Sequence, residues 1–232
     1  MANSARNQPG VERTSQSSQE TDPLLTIQSK YEKNKKAINT SITVVLVVVL
    51  GYFVYQKMYK APREDKASNA IAYAQLYFQV DSLNMALNGD GKNAGFLKIT
   101  KKYDGTAAAN LSHYYSGVCY IKGGDYKNAI KQLEEFDGKG TMIGRQAYGL
   151  LGDAYRESGN VKKAIENYTK ATEDKDDIIV TPMYLYKAGL AYEADKQDGE
   201  AKKAFERIRD EYPRSMQARD MDKELARLGE LN

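Results

Sequence analysis

A short pattern recurs in the second half of the chain and constrains its fold. A glycine is followed three residues later by tyrosine and twelve residues later by alanine. The copies are Gly117/Tyr120/Ala129, Gly152/Tyr155/Ala164 and Gly189/Tyr192/Ala201, offset by 35 and then 37 residues. A period in this range is typical of helical hairpins, each of which must stack on its neighbours to bury its apolar face. The pattern therefore predicts an all-α solenoid.

The spacing within each copy resembles the tetratricopeptide repeat. That family places a small residue eighth in its first helix, an aromatic residue eleventh, alanine twentieth and a large apolar residue twenty-fourth. The third copy follows this order with Gly189, Tyr192, Ala201 and Phe205. The resemblance implies a right-handed solenoid of tetratricopeptide-type hairpins, with repeats at residues 110–143, 145–178 and 182–215. Glycine and alanine would lie where the two helices of a hairpin cross.

A fourth, degenerate hairpin is predicted upstream, over residues 68–104. Apolar residues at helical spacing predict its first helix over Ala70–Leu87, and Asn88–Gly91 has the composition of a turn. Phe96, Ile99 and Tyr103 have the spacing of a second helix. Lys92 stands where the repeat expects alanine, so a departure from the standard helix crossing is expected.

The chain that follows Pro213 predicts a final helix that closes the solenoid. Between residues 215 and 229, apolar residues lie on one side of the helix and charged residues on the other. The apolar residues are Met216, Met221, Leu225 and Leu228. This pattern is typical of a capping helix, whose outer face must be polar.

The first quarter of the chain differs in composition from the repeats. Residues 1–36 are rich in Asn, Gln, Ser and Thr and predict a disordered polar tail. Ala37–Gln56 contains no charged residue and is long enough, as a helix, to cross a hydrocarbon core of about 30 Å. Its valine-rich core would also suit a buried strand or core helix. Lysines at both ends favour a single transmembrane helix over residues 37–56.

The orientation of this helix depends on a small difference in flanking charge. Four lysines between Lys30 and Lys36 precede it, and Lys57, Lys60, Arg63 and Lys66 follow it. The preceding cluster is denser, and a single span after a short tail is the usual form of an uncleaved signal anchor. We therefore expect a bacterial inner-membrane protein with a cytoplasmic N-terminus and its repeats in the periplasm.

The residue types that carry chemistry are sparse. One histidine, His113, and one cysteine, Cys119, cannot form a soft-metal cluster, and both are expected to pack inside the repeats. No phosphate loop, nucleophile elbow or dinucleotide fingerprint is present. Residues 61–232 carry 26 Lys or Arg against 27 Asp or Glu, without the basic stripe of a nucleic-acid binder. The sequence predicts neither an enzyme nor a cofactor.

The resemblance also implies a protein-binding groove. In the family it is lined by the second, fifth, ninth, twelfth and thirteenth positions of each first helix. These positions predict the set Leu111, Tyr114, Val118, Ile121, Gln146, Asp153, Arg156, Met183, Tyr186, Leu190 and Glu193. Family members that clamp a carboxylate use Lys at the fifth position, which here is Tyr114, Gly149 or Tyr186. The groove therefore suits an apolar segment or a folded domain. Alternatively, some of these residues pack against the capping helix.

An anchor followed by about four hairpins resembles the YfgM family of ancillary subunits of the bacterial translocon. The resemblance implies two protein partners, the SecYEG translocon and the periplasmic chaperone PpiD, besides the lipid bilayer around residues 37–56. The long polar tail departs from the family. A structural scaffold in an envelope assembly, such as outer-membrane protein insertion or secretion machinery, is the alternative. A cytosol-facing receptor on an organelle membrane is a third reading, which the missing carboxylate clamp disfavours.

Overall fold

The regular elements are helices throughout the part of the chain that the computed structural model describes, residues 23–229. The described residues divide into two compact units, the first ending at Gln56 and the second beginning at Lys57. The first contains α1 (Pro23–Tyr55), and a π-helical turn follows at Gln56–Lys60. The second contains α2 (Ala61–Gln79), α3 (Leu83–Asn88), α4 (Phe96–Lys102), α5 (Ala107–Lys122), α6 (Tyr126–Glu134), α7 (Met142–Glu157), α8 (Val161–Ala171), α9 (Val180–Ala194), α10 (Asp198–Glu211), a 3₁₀ turn (Gln217–Asp220) and α11 (Met221–Arg227).

Helix α1 carries the apolar stretch and begins earlier than the sequence predicted. Its large apolar side chains from Ile42 to Tyr55 are exposed, and the helical stretch Lys30–Gln79 includes a window long and apolar enough to cross a membrane. Residues 23–36, which we expected in the disordered tail, are helical. Pro23 suits the first helical position, and the segment after it is free of glycine and further proline. The rest of the predicted tail lies outside the described residues.

Each glycine of the recurring pattern lies where two helices of one hairpin cross. A Cβ added to Gly117 would collide with Leu133, one on Gly152 with the ring of Tyr168, and one on Gly189 with the ring of Phe205. The matching alanines, Ala129, Ala164 and Ala201, are fully buried. Close packing of α5 on α6, α7 on α8 and α9 on α10 thus requires the small residues that the pattern supplies.

The helix starts are fixed by side-chain caps of two kinds. The first helices of two hairpins are capped by threonine: the Oγ1 of Thr106 accepts the N–H of Ala109 at 3.1 Å, and Thr141 accepts that of Gly144 at 3.0 Å. The second helices α6 and α8 are capped in the same way by Asp125 and Asn160. Such caps accept backbone N–H groups of the first helical turn that have no partner within the helix. They therefore fix where the preceding turn ends and the helix begins.

The helix predicted over Ala70–Leu87 is interrupted, which corrects the sequence-based prediction for the degenerate hairpin over residues 68–104. Because it comes first in the chain, we call it the first hairpin. The helix ends at Gln79, and Asp81 adopts a left-handed conformation with φ of 57°. Aspartate tolerates this conformation better than most residues, and its carboxylate is paired with Lys122. The turn predicted at Asn88–Gly91 begins one residue later, at Gly89, because Asn88 ends α3; in this turn the carboxylate of Asp90 accepts the N–H groups of Lys92 and Asn93.

Helix α2 nevertheless occupies the first-helix position of a repeat. Its buried residues have the same four-then-three spacing as those of the three later first helices. The matching sets are Ala67/Ile71/Ala74 on α2, Ser112/Ser116/Cys119 on α5, Ala147/Leu151/Ala154 on α7 and Tyr184/Ala188/Ala191 on α9. This equivalence extends the solenoid to the start of α2 and gives its residues a register.

The C-terminal cap consists of the 3₁₀ turn and α11. Met221 and Leu225 are fully buried in a cluster with Phe205 and Ile208, and Leu228 packs partly against it. Met216 was expected on the same apolar face, and this prediction is wrong because 76% of the residue is exposed. The 3₁₀ turn at Gln217–Asp220 changes the helical register, so the apolar seam starts only at Met221.

The loop before α9 couples stability to pH through Asp177. Its carboxylate accepts the N–H groups of Val180 at 2.8 Å and Ile179 at 3.1 Å, and lies 3.3 Å from Arg145. Burial alone would raise the pKa of Asp177, but these hydrogen bonds and the Arg145 charge lower that pKa below its ordinary value. A lowered pKa contributes stability above the unfolded-state value that is lost as pH falls through the folded-state value.

We expect the free energy of unfolding to fall as the pH is lowered below about 4, partly through Asp177. Asp177→Asn keeps a capping oxygen but has no charge to titrate, so its pH dependence should be shallower. Asp177→Ala should cost about 1–2 kcal/mol at neutral pH because the cap itself is lost. Urea unfolding of the variants at pH 7 and pH 3 measures both effects. An unchanged pH profile in Asp177→Asn would contradict the assignment.

Candidate functional site

The predicted groove residues on α5 form an apolar surface that is partly covered. The ring centroid of Tyr114 lies 5.4 Å from that of Phe136, and its hydroxyl lies 3.4 Å from the Oε1 of Gln146. Burial, followed by the neighbouring Tyr115, raises the pKa of Tyr114, so its hydroxyl stays neutral. Val118 and Ile121 are half-buried, and Leu111 packs against the core of the first hairpin. This part of the predicted surface is largely apolar.

On α7 the predicted positions are polar and paired. Asp153 accepts hydrogen bonds from the hydroxyl of Tyr168 at 2.7 Å and from the Nζ of Lys187 at 2.7 Å. Arg156 is exposed and lies 2.9 Å from Glu157. Gly149 leaves room for a neighbouring ring, since a Cβ there would collide with Tyr184. The α7 surface therefore presents compensated charges rather than a single charged anchor.

The predicted positions on α9 divide between the core and the C-terminal cap. The ring of Tyr186 lies 5.9 Å from that of Phe205, and Leu190 packs against the cluster that contains Met221 and Leu225. The carboxylate of Glu193 lies 2.7 Å from the guanidinium of Arg227 on α11. Met183 packs against the central core. The cap thus engages Tyr186, Leu190 and Glu193, which is the alternative that the sequence left open.

Helix α2 adds two residues that sequence reasoning missed. In the register set by Ala67, Ile71 and Ala74, Tyr73 corresponds to Val118 and Leu76 to Ile121. Tyr73 is 52% exposed and Leu76 is 55% exposed. The sequence carried a signal for them in the four-then-three spacing of small and apolar residues, but the missing Gly–Tyr–Ala pattern hid it. We define the free groove as Tyr73, Leu76, Tyr114, Val118, Ile121 and Gln146.

The two residues considered for possible chemistry, His113 and Cys119, lie in surroundings that favour a structural role. The Nδ1 of His113 lies 3.0 Å from the Oε1 of Gln132, within one hairpin. Cys119 is buried, and burial raises the pKa of its thiol to about 11. A thiol with this pKa is not a nucleophile at neutral pH. Among residues 23–229, no group of three or more His, Cys, Asp or Glu side chains is placed to hold a metal ion.

Comparison with known proteins supports the repeat pattern. One family model described as tetratricopeptide repeat matches residues 112–137 and 184–215, and a second model with the same description matches residues 146–173. No curated protein matched the sequence.

Solved structures with similar folds are distant in sequence. A crystal structure of MamA shares 21% identity, covering 75% of this chain and 87% of its own, with a TM-score of 0.48. Tetratricopeptide-like repeats of a putative kinesin light chain from Podosopora anserina share 16% identity. That match covers 71% of this chain and 86% of the other, with a TM-score of 0.51, and shows the fold alone.

Three observations agree on a solenoid of helical hairpins. They are the glycine–alanine crossings, the shared register of buried positions and the matching family models. Residues 112–137, 146–173 and 184–215 match models of the tetratricopeptide repeat, and repeats of this kind imply a protein–protein interaction module.

Proposed function

We propose that the chain is a membrane-anchored module whose free groove binds an apolar polypeptide segment. In this proposal it acts as an accessory of the Sec translocon or of the periplasmic chaperone network. The observation that carries the proposal is the apolar row Tyr73, Leu76, Val118 and Ile121, which occupies equivalent positions on two neighbouring first helices.

The composition of the groove supports an apolar ligand. Tyr73 and Leu76 are exposed and Val118 and Ile121 are half-buried, so aromatic and aliphatic side chains supply contact area, and the amide of Gln146 supplies a hydrogen-bonding group. Aromatic anchors in a groove commonly provide most of the binding energy of an interface. The positions at which a carboxylate clamp would need lysine and asparagine hold Tyr114 and Val118 on α5. A charged chain end would therefore find little to bind there.

The membrane anchor is supported by α1. The apolar window within Lys30–Gln79 is unburied, so the described part of the chain provides no cover for it. About twenty apolar residues in a helix match the thickness of the hydrocarbon core. A bilayer around residues 37–56 would remove this surface from water, and carbonate washing should then leave the chain in the membrane pellet. Deletion of residues 37–56 should release it.

The proposal is tested by site-specific crosslinking in intact membranes. We expect a photo-crosslinking amino acid at Tyr73 or Val118 to capture SecYEG or a periplasmic chaperone, identified by mass spectrometry. The same amino acid at Lys162, an exposed position on α8, serves as the control and should capture neither. Equal capture from Lys162 would contradict the groove. Capture of outer-membrane insertion or secretion components would instead identify the envelope scaffold.

A further inference from the structure

We propose that one edge of the first hairpin binds the anionic headgroups of the membrane. This inference rests on the membrane anchor of the proposed function but not on the groove or its partner. Cationic side chains gather at this edge from two separate segments. We call them the basic patch: Lys57, Lys60, Arg63, Lys66, Lys101 and Lys102.

The patch is assembled by the fold. Helices α2 and α4 form the first hairpin, so the start of α2 lies beside the end of α4. The guanidinium of Arg63 donates a hydrogen bond to the backbone carbonyl of Lys102 at 3.3 Å, across 39 positions of sequence. This contact places Lys101 and Lys102 next to the cations of α2. The near-neutral composition of the repeat domain conceals such a local excess.

The patch keeps a net positive charge because it contains few carboxylates. One of them, that of Glu64, is already hydrogen-bonded to the start of α5. Glu64, Asp65 and Asp104 are the acidic residues in the two segments. Both oxygens of Glu64 accept backbone N–H groups at the start of α5, from Ala107 at 3.1 Å and Ala108 at 3.3 Å. Its charge therefore stabilises the positive end of that helix dipole.

The lysines of the patch are available to an external anion. Within the described residues, Lys57, Lys60, Lys66 and Lys101 are exposed and have no carboxylate partner. Elsewhere in the domain, Lys187 is paired with Asp153 and Lys122 with Asp81. Unpaired surface lysines keep their full attraction for a negatively charged surface at short range.

Chain connectivity and apolar side chains point to lipid as the source of that surface. Lys57 directly follows the uncharged stretch that ends at Gln56, so the first cations cannot lie far from the headgroups of a spanned bilayer. Met58 is 77% exposed, and Tyr59, also exposed, lies under the guanidinium of Arg63 at 5.9 Å. Aromatic rings and long cationic side chains are enriched at the depth of lipid headgroups.

The corresponding edge of the hairpin formed by α7 and α8 carries the opposite charge. The loop between α8 and α9 contains Glu173, Asp174, Asp176 and Asp177 against Lys175, and Arg145 pairs with Asp174 and Asp177, so acidic groups remain in excess. An anionic surface would repel this loop while it attracts the first hairpin. The charge distribution therefore predicts that only the first hairpin rests on the lipid, leaving the later repeats away from it.

The test uses the full chain, reconstituted in bilayers of phosphatidylcholine alone or mixed with phosphatidylglycerol. A fluorophore is attached to an introduced cysteine, either Ser68→Cys beside the patch or the control Ser158→Cys on the opposite edge of the second repeat. Cys119 stays unlabelled because it is buried. Quenching by a headgroup spin-labelled lipid reports the distance of each label from the membrane surface.

We expect quenching at position 68 to be at least about twofold greater in the anionic bilayer, and to fall to the phosphatidylcholine level at high salt, which screens exposed charges. Lys66→Glu with Lys101→Glu should abolish the difference, whereas Lys127→Glu with Lys131→Glu on α6 should not. These substitutions avoid Lys57 and Lys60, the two cations nearest the span. Equal quenching in both bilayers, or insensitivity to salt, would overturn the proposal. Loss of the chain from the bilayer on carbonate washing would instead overturn the anchor, and the lipid contact with it.

Discussion

Phe205→Ala is expected to lower the free energy of unfolding by about 3–5 kcal/mol, the largest effect of any single substitution considered for this chain. The side chain is fully buried between α9, α10 and the C-terminal cap, where it contacts Met221 and Leu225. Its removal leaves a cavity that three helices would have to shift to fill. Urea unfolding monitored by circular dichroism measures the loss.

A second substitution makes this expectation specific to the helix crossing. Gly189→Ala places a methyl group against the ring of Phe205 and should cost about 1–3 kcal/mol through overpacking. In the double variant the methyl group enters the cavity, so the combined loss should be smaller than the sum of the two. Gly199→Ala, in the first turn of α10 with open space around it, is the control and should be neutral or stabilising. Additive losses would show that the two residues do not oppose each other.

Tyr73→Ala combined with Leu76→Ala is expected to weaken partner capture by well over tenfold, because truncating an aromatic anchor commonly costs about 2 kcal/mol. Both side chains are exposed, so circular dichroism and unfolding should remain close to wild type. The measurement is the affinity of the reconstituted chain for the partner identified by crosslinking.

The matched control for this pair is Ile178→Ala with Ile179→Ala. These residues are 71% and 74% exposed and precede α9, away from the free groove. The two isoleucine substitutions remove a comparable amount of exposed apolar surface, so a loss of nonspecific hydrophobic binding would appear in both variants. If the isoleucine pair weakens capture as much as the α2 pair does, the groove is not the binding surface.

The repeats were predictable from the sequence because their signals are local and steric. Only glycine fits against Leu133, Tyr168 or Phe205 at the crossings, so a recurrent glycine with an alanine twelve residues later indicates one packing geometry. The bounds of α2 were not predictable in this way. The helix lacks the glycine that marks a crossing in the later repeats. It ends before Asp81, which has a left-handed conformation and is paired with Lys122 of α5.

For the candidate site, the family register predicts positions on the first helices but not their accessibility. Family register placed Tyr186, Leu190 and Glu193 on the same face as Tyr114, and the structure shows α11 packed against that face at the third repeat. Whether a cap covers a groove depends on where the chain turns after Pro213, which is set by the 3₁₀ turn. The basic patch was equally hidden, because its two halves are distant in sequence.

The position of the C-terminal cap has a consequence for the length of the polypeptide segment that the groove can bind. The cap contacts Tyr186, Leu190 and Glu193, so we expect an apolar segment to bind chiefly on the faces of α2, α5 and α7, whose axes should be about 9 Å apart. A strand-like ligand rises about 3.3 Å per residue, so three helices span a stretch of roughly six to eight residues. In the proposed binding mode, the last helix therefore limits the length of the bound segment, which favours short linear motifs over long unfolded chains.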